Sequence, residues 1–469
     1  MKRNKRSPLV SRTSATKWRQ HLAWGVSPRI QVHSDAKPRR ADSESAATAL
    51  LSPLRHREPL AACLVLFVII LATGCKQQTI TENPTAKPPV IVAPQSYEAS
   101  AEQLLAARLP AEVAAEGWIR LFDGHTLYGW EIAGPANWSV KDQTIAVTGG
   151  EESLLCTSMP WLNFELRLQY RCGKDTDSGV FLRTPLEPDG SGVDCFEINL
   201  ADNAPAFPTG SVVGKQKSQS KTVPTDDWRS LEIVVNENDI TVSIEGEGVC
   251  EYTDEIGFPA GRIGLQHKKG SIEFREIRLR PLGLENTLDK KLSQWTKYPK
   301  MPGEFSVNDQ GWLHAKGGRN QLESKQSYGN FVLLAEFKMP KPEMNSGIFF
   351  RCIEGSEMMG YECQLSNQAE GGNPLVPADY GTGGFFKRQN ARLVAGLIDD
   401  WSTLLLVADG PTMAAWVQGI QVSNFYDDRP PNENPRKGSK VESGTLMIQG
   451  HDPETDAYFK QLSVAKTDD

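Results

Sequence analysis

The chain has 469 residues, enough for two or three domains, and its 39% hydrophobic content and 11 tryptophans fit globular material. Its net charge of −7 is unevenly placed: residues 1–60 hold 13 Lys and Arg against 4 Asp and Glu, which leaves about −16 for residues 61–469. An acidic body lacks the basic footprint that a nucleic-acid partner requires, which argues against that class.

Leu60–Ala72 is an unbroken apolar run of 13 residues with Arg55 and Arg57 before it. It is short for a bilayer span and suits the apolar core of a signal peptide. The run ends Leu71-Ala72-Thr73-Gly74-Cys75, which resembles a bacterial lipobox, although Ala72 stands where Leu is usual. Lipidation at Cys75 would leave the body outside the cytoplasm on a membrane anchor; an ordinary signal peptide or an uncleaved anchor is the alternative. Residues 1–75 therefore read as a leader, with an unusually long basic stretch before the apolar run.

Residues 76–116 read as a Pro- and Thr-bearing tether followed by a helical segment from Ala101 to Glu116, which Pro110 divides into two short turns. From Trp118 the texture changes to short β-type runs separated by Gly, Pro, Asp and Asn. Within residues 117–283 the strand candidates are Trp138–Val140, Thr144–Val147, Phe164–Arg171, Gly179–Arg183, Cys195–Leu200, Trp228–Asn236, Ile240–Glu245, Arg262–His267 and Ile272–Arg280. Such density predicts an all-β sandwich or barrel.

Residues 284–466 repeat the order. Trp295 answers Trp130, Phe331–Met339 answers Phe164–Arg171, Trp401 answers Trp228, and Ile448-Gln449-Gly450-His451 answers Leu265-Gln266-His267. The distance from Glu to the later Trp is 31 residues in the first copy (Glu197, Trp228) and 39 in the second (Glu362, Trp401). The extra length falls in the Gly-rich loop Asn367–Asn390, and a long loop at a sandwich rim is a candidate for function.

The most informative repeat is Asn345-Ser346-Gly347-Ile348-Phe349-Phe350-Arg351, followed by Gly360-Tyr361-Glu362-Cys363-Gln364-Leu365. Alternation puts Ile348, Phe350 and Cys352 on one side of a strand and Phe349 and Arg351 on the other. If the two runs pair, Arg351, Glu362 and Gln364 share a face: a cation, an acid and an amide suited to a polyhydroxylated ligand. A solvated face with a surface ion pair fits the spacing equally well. The first copy repeats the pattern as Asp177-Ser178-Gly179-Val180-Phe181-Leu182-Arg183 and Cys195-Phe196-Glu197-Ile198-Asn199-Leu200.

The chain has 8 cysteines and no CxxC pair, which argues against a zinc ribbon or a thioredoxin-like centre. Cys352 and Cys363 are expected on the face opposite Glu362 as core thiols, with a disulfide open in an extracytoplasmic setting. No set of His or carboxylates stands at metal spacing, so no cofactor is expected and a bound cation is left open.

The stretch Gly117–Trp130, with Leu121-Phe122-Asp123-Gly124 inside it, resembles the opening of the 3-keto-disaccharide hydrolase domain, formerly a bacterial domain of unknown function. The resemblance continues through (Asp177/Asn345)-Ser-Gly-(Val/Ile)-Phe-x-Arg, Gly360-Tyr361-Glu362-x-Gln364 and Ile263-Gly264-Leu265-Gln266, and covers both copies. It implies two tandem concanavalin-like β-sandwiches, residues 117–283 and 284–466. The first copy departs from the pattern at Asp177, Cys195, Phe196 and Asn199, so the second is expected to hold the better-preserved site.

The resemblance also implies a chemistry. A ketone at C3 of a sugar acidifies the C2 proton; a base removes it, the C1 aglycone leaves, and water adds back. Such a site needs a base, an enolate stabiliser and a leaving-group acid. The expected catalytic residues are Glu362 or His451 as base or acid and Arg351 at the enolate oxygen. Asn345, Tyr361, Gln364, Lys387 and Gln449 are expected to bind substrate, with Arg183, Glu197, Asn199, Gln266 and His267 as first-copy counterparts. Each has a plainer role available: Arg351–Glu362 as a cross-strand pair, His451 and His267 as turn residues, Lys387 as a solvated cation. The partners implied are a carbohydrate and, through the anchor, a membrane; whether a sugar oxidoreductase supplies the ketone is open. The rival functions are a non-catalytic carbohydrate-binding protein and a structural surface lipoprotein. A two-carboxylate glycosidase is disfavoured, because one acid recurs per copy where that mechanism needs a facing pair.

Overall fold

The structure, a computed structural model, describes residues 98–220 and 225–467 together with the backbone of Ile91 and Val92. The leader, including Leu60–Ala72 and Cys75, lies outside the described residues. Among the described residues no helix is long and apolar enough to cross a membrane.

Two short helices lead in. Ala101–Ala106 starts at a capping box, in which the Ser100 hydroxyl accepts from Gln103 N and the Gln103 side chain accepts from Ser100 N. Pro110 caps the second, Ala111–Ala115. The strands form four antiparallel sheets.

In the first sandwich one sheet runs in the order Ile91–Val92, Trp130–Ala133, Ser153–Thr157, Arg262–His267, Gly179–Thr184, Phe196–Asn199. Its partner sheet is built around Arg229–Asn236, Phe164–Cys172 and Ile272–Pro281. The second sandwich repeats the plan. A five-stranded sheet runs Trp295–Lys297, Asn320–Tyr328, Gly444–Gly450, Ser346–Cys352, Tyr361–Leu365, and an eight-stranded sheet is built around Asp456–Lys466, Phe331–Lys338 and Trp401–Asp409.

Patterning explains the layering. Arg229–Asn236 alternates buried and partly exposed positions, as a strand with one solvated face should. Phe331–Phe337 is buried at every position, because its sheet is covered on both sides. Leu333 and Ala335 enter the core of the second sandwich, while Val332 and Leu334 join Leu405, Val407 and Trp416 in the core of the first. The two sandwiches thus share a buried seam. Along it, Arg120 N donates to Gly419 O at 2.8 Å and the Trp416 indole to Arg120 O at 3.2 Å. Arg392 Nη2 pairs with Asp123 Oδ2 at 2.9 Å. The Leu121-Phe122-Asp123-Gly124 turn is therefore part of the contact between the sandwiches.

The alternation read from the sequence fails at one residue in each copy. Arg351 (φ 49°) and Arg183 (φ 50°) lie in the left-handed region, and the register slips there against Gly444–Gly450 and Arg262–His267. Each is a β-bulge, and a bulge turns the following side chains over. Cys352 consequently packs with Phe349 and Met447, away from the core that contains Cys363. The two thiols are on opposite faces, both free and buried, and the disulfide left open above is not formed.

Candidate active site in the second sandwich

Strand register assembles the site. Phe349 pairs with Glu362, Gly347 with Gln364 and Gln321 with Gln449, so one face of the five-stranded sheet presents Glu362, Gln364 and Gln449 side by side. The loops Ile353–Gly360, Asn367–Asn390 and Asp427–Lys440 wall this face into a cleft of about 630 Å³. Asn345, Glu362, Gln364, Lys387, Gln449 and His451 all line it, with Arg319, Glu357, Met358, Met359, Asp379, Phe386 and Arg436.

Glu362 is the centre of the arrangement and is 6% exposed. Gly347 gives it room, since a Cβ there would stand 3.0 Å from Glu362 Oε1. Arg436 Nη2 donates to Glu362 Oε2 at 2.9 Å, and its guanidinium lies near the Phe349 and Phe386 rings, 5.1 and 5.2 Å from their centroids. Burial pushes the Glu362 carboxyl above its ordinary value and outweighs Arg436 and His451, which pull it down; Asp379 adds to the rise.

Amides surround the acid. Gln364 Nε2 donates to Asn345 Oδ1 and to Asp379 Oδ2, both at 2.9 Å, and Asn345 Nδ2 donates to the same Asp379 oxygen. Gln449 Nε2 reaches Met358 Sδ at 3.4 Å. Gln364 Oε1 and Gln449 Oε1 are buried without a hydrogen-bond partner among the described residues. Buried acceptors of this kind need a donor, and hydroxyl groups entering the cleft would supply one. Met358, Asp379, Tyr380 and Lys387 all have positive φ, so backbone strain gathers around this cleft.

Several expected residues lie elsewhere. Arg351 is fully buried on the far side of its bulge, where it donates to Gly329 O at 3.0 Å, Lys440 O at 2.9 Å, Asn330 Oδ1 at 3.2 Å and Gly410 O. It ties loops together and does not reach the cleft. Tyr361 points into the core, its hydroxyl donating to Asp427 Oδ2 at 2.6 Å. His451 sits at the rim with its side chain 44% exposed and Nδ1 3.0 Å from Asp452 Oδ2.

In the first sandwich Arg183 repeats the role of Arg351, bonding Leu162 O, Phe258 O, Glu237 O and Asn163 Oδ1. His267 is buried at the end of the strand Arg262–His267, with Nε2 3.0 Å from Gly270 O in the turn that follows. Asn199 donates its amide to Phe207 O. Gln266 and Glu197 do share the face, Gln266 donating to Glu152 Oε1 at 3.1 Å. Burial raises Glu197 to about 7; Lys268 opposes the rise and Asp177 and Glu152 add to it.

The structure also realigns the copies. Ser346 bonds the Gln449 carbonyl and Ser178 the Gln266 carbonyl, so Gly450 stands where His267 does and His451 where Lys268 does.

Sequence reasoning missed Asp379, Phe386 and Arg436. The loop carrying the first two was marked by its length. Arg436 comes from a segment 74 residues beyond Glu362 and gave no signal in the spacing.

Both sandwiches match one family, described as the 3-keto-alpha-glucoside-1,2-lyase-like domain, over residues 117–280 and 284–465. A 3-keto-disaccharide hydrolase of Bacteroides thetaiotaomicron is 25% identical over 227 residues, which are 41% of this chain and 77% of the relative. A crystal structure from Parabacteroides distasonis, provisionally named a glycosyl hydrolase, is 21% identical and covers 37% of this chain and 98% of its own, with a TM-score of 0.33. A second such structure from the same organism is 25% identical, covers 35% and 99%, and has a TM-score of 0.30.

Proposed function

We propose that this chain, which belongs to the 3-keto-alpha-glucoside-1,2-lyase-like family, is an enzyme that cleaves 3-keto-glycosides by C2 proton abstraction, elimination and hydration. The reaction takes place in the cleft of the second sandwich. The observation that carries this reading is Glu362: a carboxyl almost fully buried in an open cleft, paired to a cation, surrounded by amides and raised by burial. A group that must move protons near neutral pH needs such an environment. The name of the Bacteroides relative points to the same substrate class.

Arg436 and Lys387 take the part first assigned to Arg351. Both are cleft cations placed to stabilise an enolate oxygen, and a low-polarity cleft strengthens such an interaction. Gln364 and Gln449 hold sugar hydroxyls with their unpartnered oxygens. The apolar run Leu60–Ala72 and Cys75 support a lipid-anchored, extracytoplasmic location. Because the substrate must already carry a ketone at C3, a sugar-oxidising enzyme acts before it.

The test is Glu362→Gln assayed on methyl 3-keto-α-glucoside, whose alkoxide leaves only with a proton. The variant should still bind the sugar by calorimetry and should lose methanol release by roughly 10²–10⁴-fold. Unchanged release would refute Glu362 as the acid–base group. Saturable binding without release in wild type would favour a binding protein.

A further inference from the structure

We propose that Asp379 is the base that removes the C2 proton, opposite Glu362, which serves the leaving group. The inference rests on the elimination reading above and divides its proton transfers between two named side chains.

The first support is the wiring of Asp379. One oxygen, Oδ2, accepts from both Asn345 Nδ2 and Gln364 Nε2. Both donors line the cleft with the carboxylate, and fixing one oxygen orients the other. Asp379 is also held at φ 44°, in the left-handed region, a conformation that costs a non-glycine residue and recurs at functional positions.

The second support comes from the two copies. Asn345 and Gln364 both offer amide donors where the long loop brings a carboxylate to meet them. In the first sandwich the loop is shorter and the position of Asn345 is taken by Asp177, which pairs with Lys268 at 3.1 Å. The position of Gln364 is taken by Asn199, whose amide is committed to Phe207 O. The donor pair is present only in the copy that carries the acid.

The third support is placement. Glu362 and Gln364 are two residues apart on one strand face, so about 7 Å separates their backbones, and Asp379 is held by Gln364 and by Asn345, which the register places on the far side of Gln364 from Glu362. One carboxyl group can therefore address C2 while the other addresses the oxygen on C1. His451 is a poorer base, being at the rim with Nδ1 engaged by Asp452.

The proton account closes. Asp379 takes the C2 hydrogen, and the C–H electrons form the enolate of the C3 ketone. Those electrons then make the C1–C2 double bond as the C1–oxygen bond breaks, and Glu362 gives its proton to the departing oxygen. In the second half Glu362 takes a proton from water as the water oxygen bonds to C1, and Asp379 returns its proton to C2. The products are the free aglycone alcohol and the 3-keto sugar. No oxidant or reductant is required, and both carboxyl groups end as they began.

Asp379→Asn separates a base from an anchor, because the Asn oxygen can accept from the same two amides but cannot take a proton. Two substrates are used with the full chain: methyl 3-keto-α-glucoside and its p-nitrophenyl counterpart, whose phenoxide leaves unaided. Wild type should cleave both. E362Q should keep p-nitrophenol release and lose methanol release. D379N should lose both by roughly 10²–10⁴-fold while melting close to wild type. D379N that releases p-nitrophenol at close to the wild-type rate overturns the assignment and makes Asp379 an anchor only. The same holds if His451→Gln, and not D379N, abolishes that release. Wild type inert on both keto-glucosides would overturn the functional reading itself.

Discussion

Arg351→Met separates the structural reading of this arginine from the catalytic one suggested by its sequence motif. In the folded chain the guanidinium donates to three backbone carbonyls and the Asn330 side chain, all in a fully buried setting. Methionine fills similar volume and leaves those four acceptors without that donor. A buried group deprived of its partner costs about 1–3 kcal/mol. Asn330 Oδ1 keeps Gly410 N at 2.9 Å; taking the low end for the three carbonyls, since the loops can relax, the loss is about 3 kcal/mol. For a domain of this size each kcal/mol shifts the melting temperature by about 2–4 °C, so R351M should melt roughly 6–12 °C lower by circular dichroism or calorimetry. Assayed well below that transition, its kcat/KM on a 3-keto-glucoside should stay near wild type. An unchanged melting temperature with turnover lost by orders of magnitude would refute the structural assignment. Arg183→Met in the first sandwich should show the same loss of stability, because its guanidinium makes the matching four bonds.

Two further outcomes are expected. Gly347→Ala puts a Cβ 3.0 Å from Glu362 Oε1 and 3.2 Å from its Cγ, so the carboxyl must shift; misplacement on that scale should lower kcat roughly 10²-fold with little change in melting temperature. Glu197, raised by burial to about 7, holds its proton in the folded state at pH values where an unfolded glutamate has lost it. It therefore favours folding at low pH, and that contribution is lost as pH rises from the ordinary carboxylate range through about 7. Glu197→Gln should match wild type in melting temperature at pH 5 and exceed it at pH 8; a constant difference across that range would count against the shift.

Much of this was legible in the sequence because β-structure writes its period plainly. Alternation in Tyr361–Leu365 placed Glu362 and Gln364 on one face and Cys363 in the core, where they are found. The internal repeat told the two sandwiches apart, and the first copy's departures from the family pattern turned attention to the second. Alternation could not reveal the left-handed residue at Arg351, which ended the period and buried the side chain that the motif made most conspicuous. Histidine matching failed for a similar reason: His267 and His451 look equivalent by eye, yet the bonds from Ser178 and Ser346 to Gln266 and Gln449 put Gly450 opposite His267. The wall residues Asp379, Phe386 and Arg436 come from irregular loops, whose path depends on tertiary contacts and not on period. Loop length flagged where function would lie without saying which side chains would meet there.

The most direct test of the account is p-nitrophenol release by the full chain from p-nitrophenyl 3-keto-α-glucoside, measured beside the unoxidised p-nitrophenyl α-glucoside. Elimination requires the acidified C2 proton, so release is expected from the keto sugar alone. Equal release from both would mean direct glycoside cleavage without the ketone and would contradict the mechanism. Release from neither would contradict the enzymatic reading of the cleft.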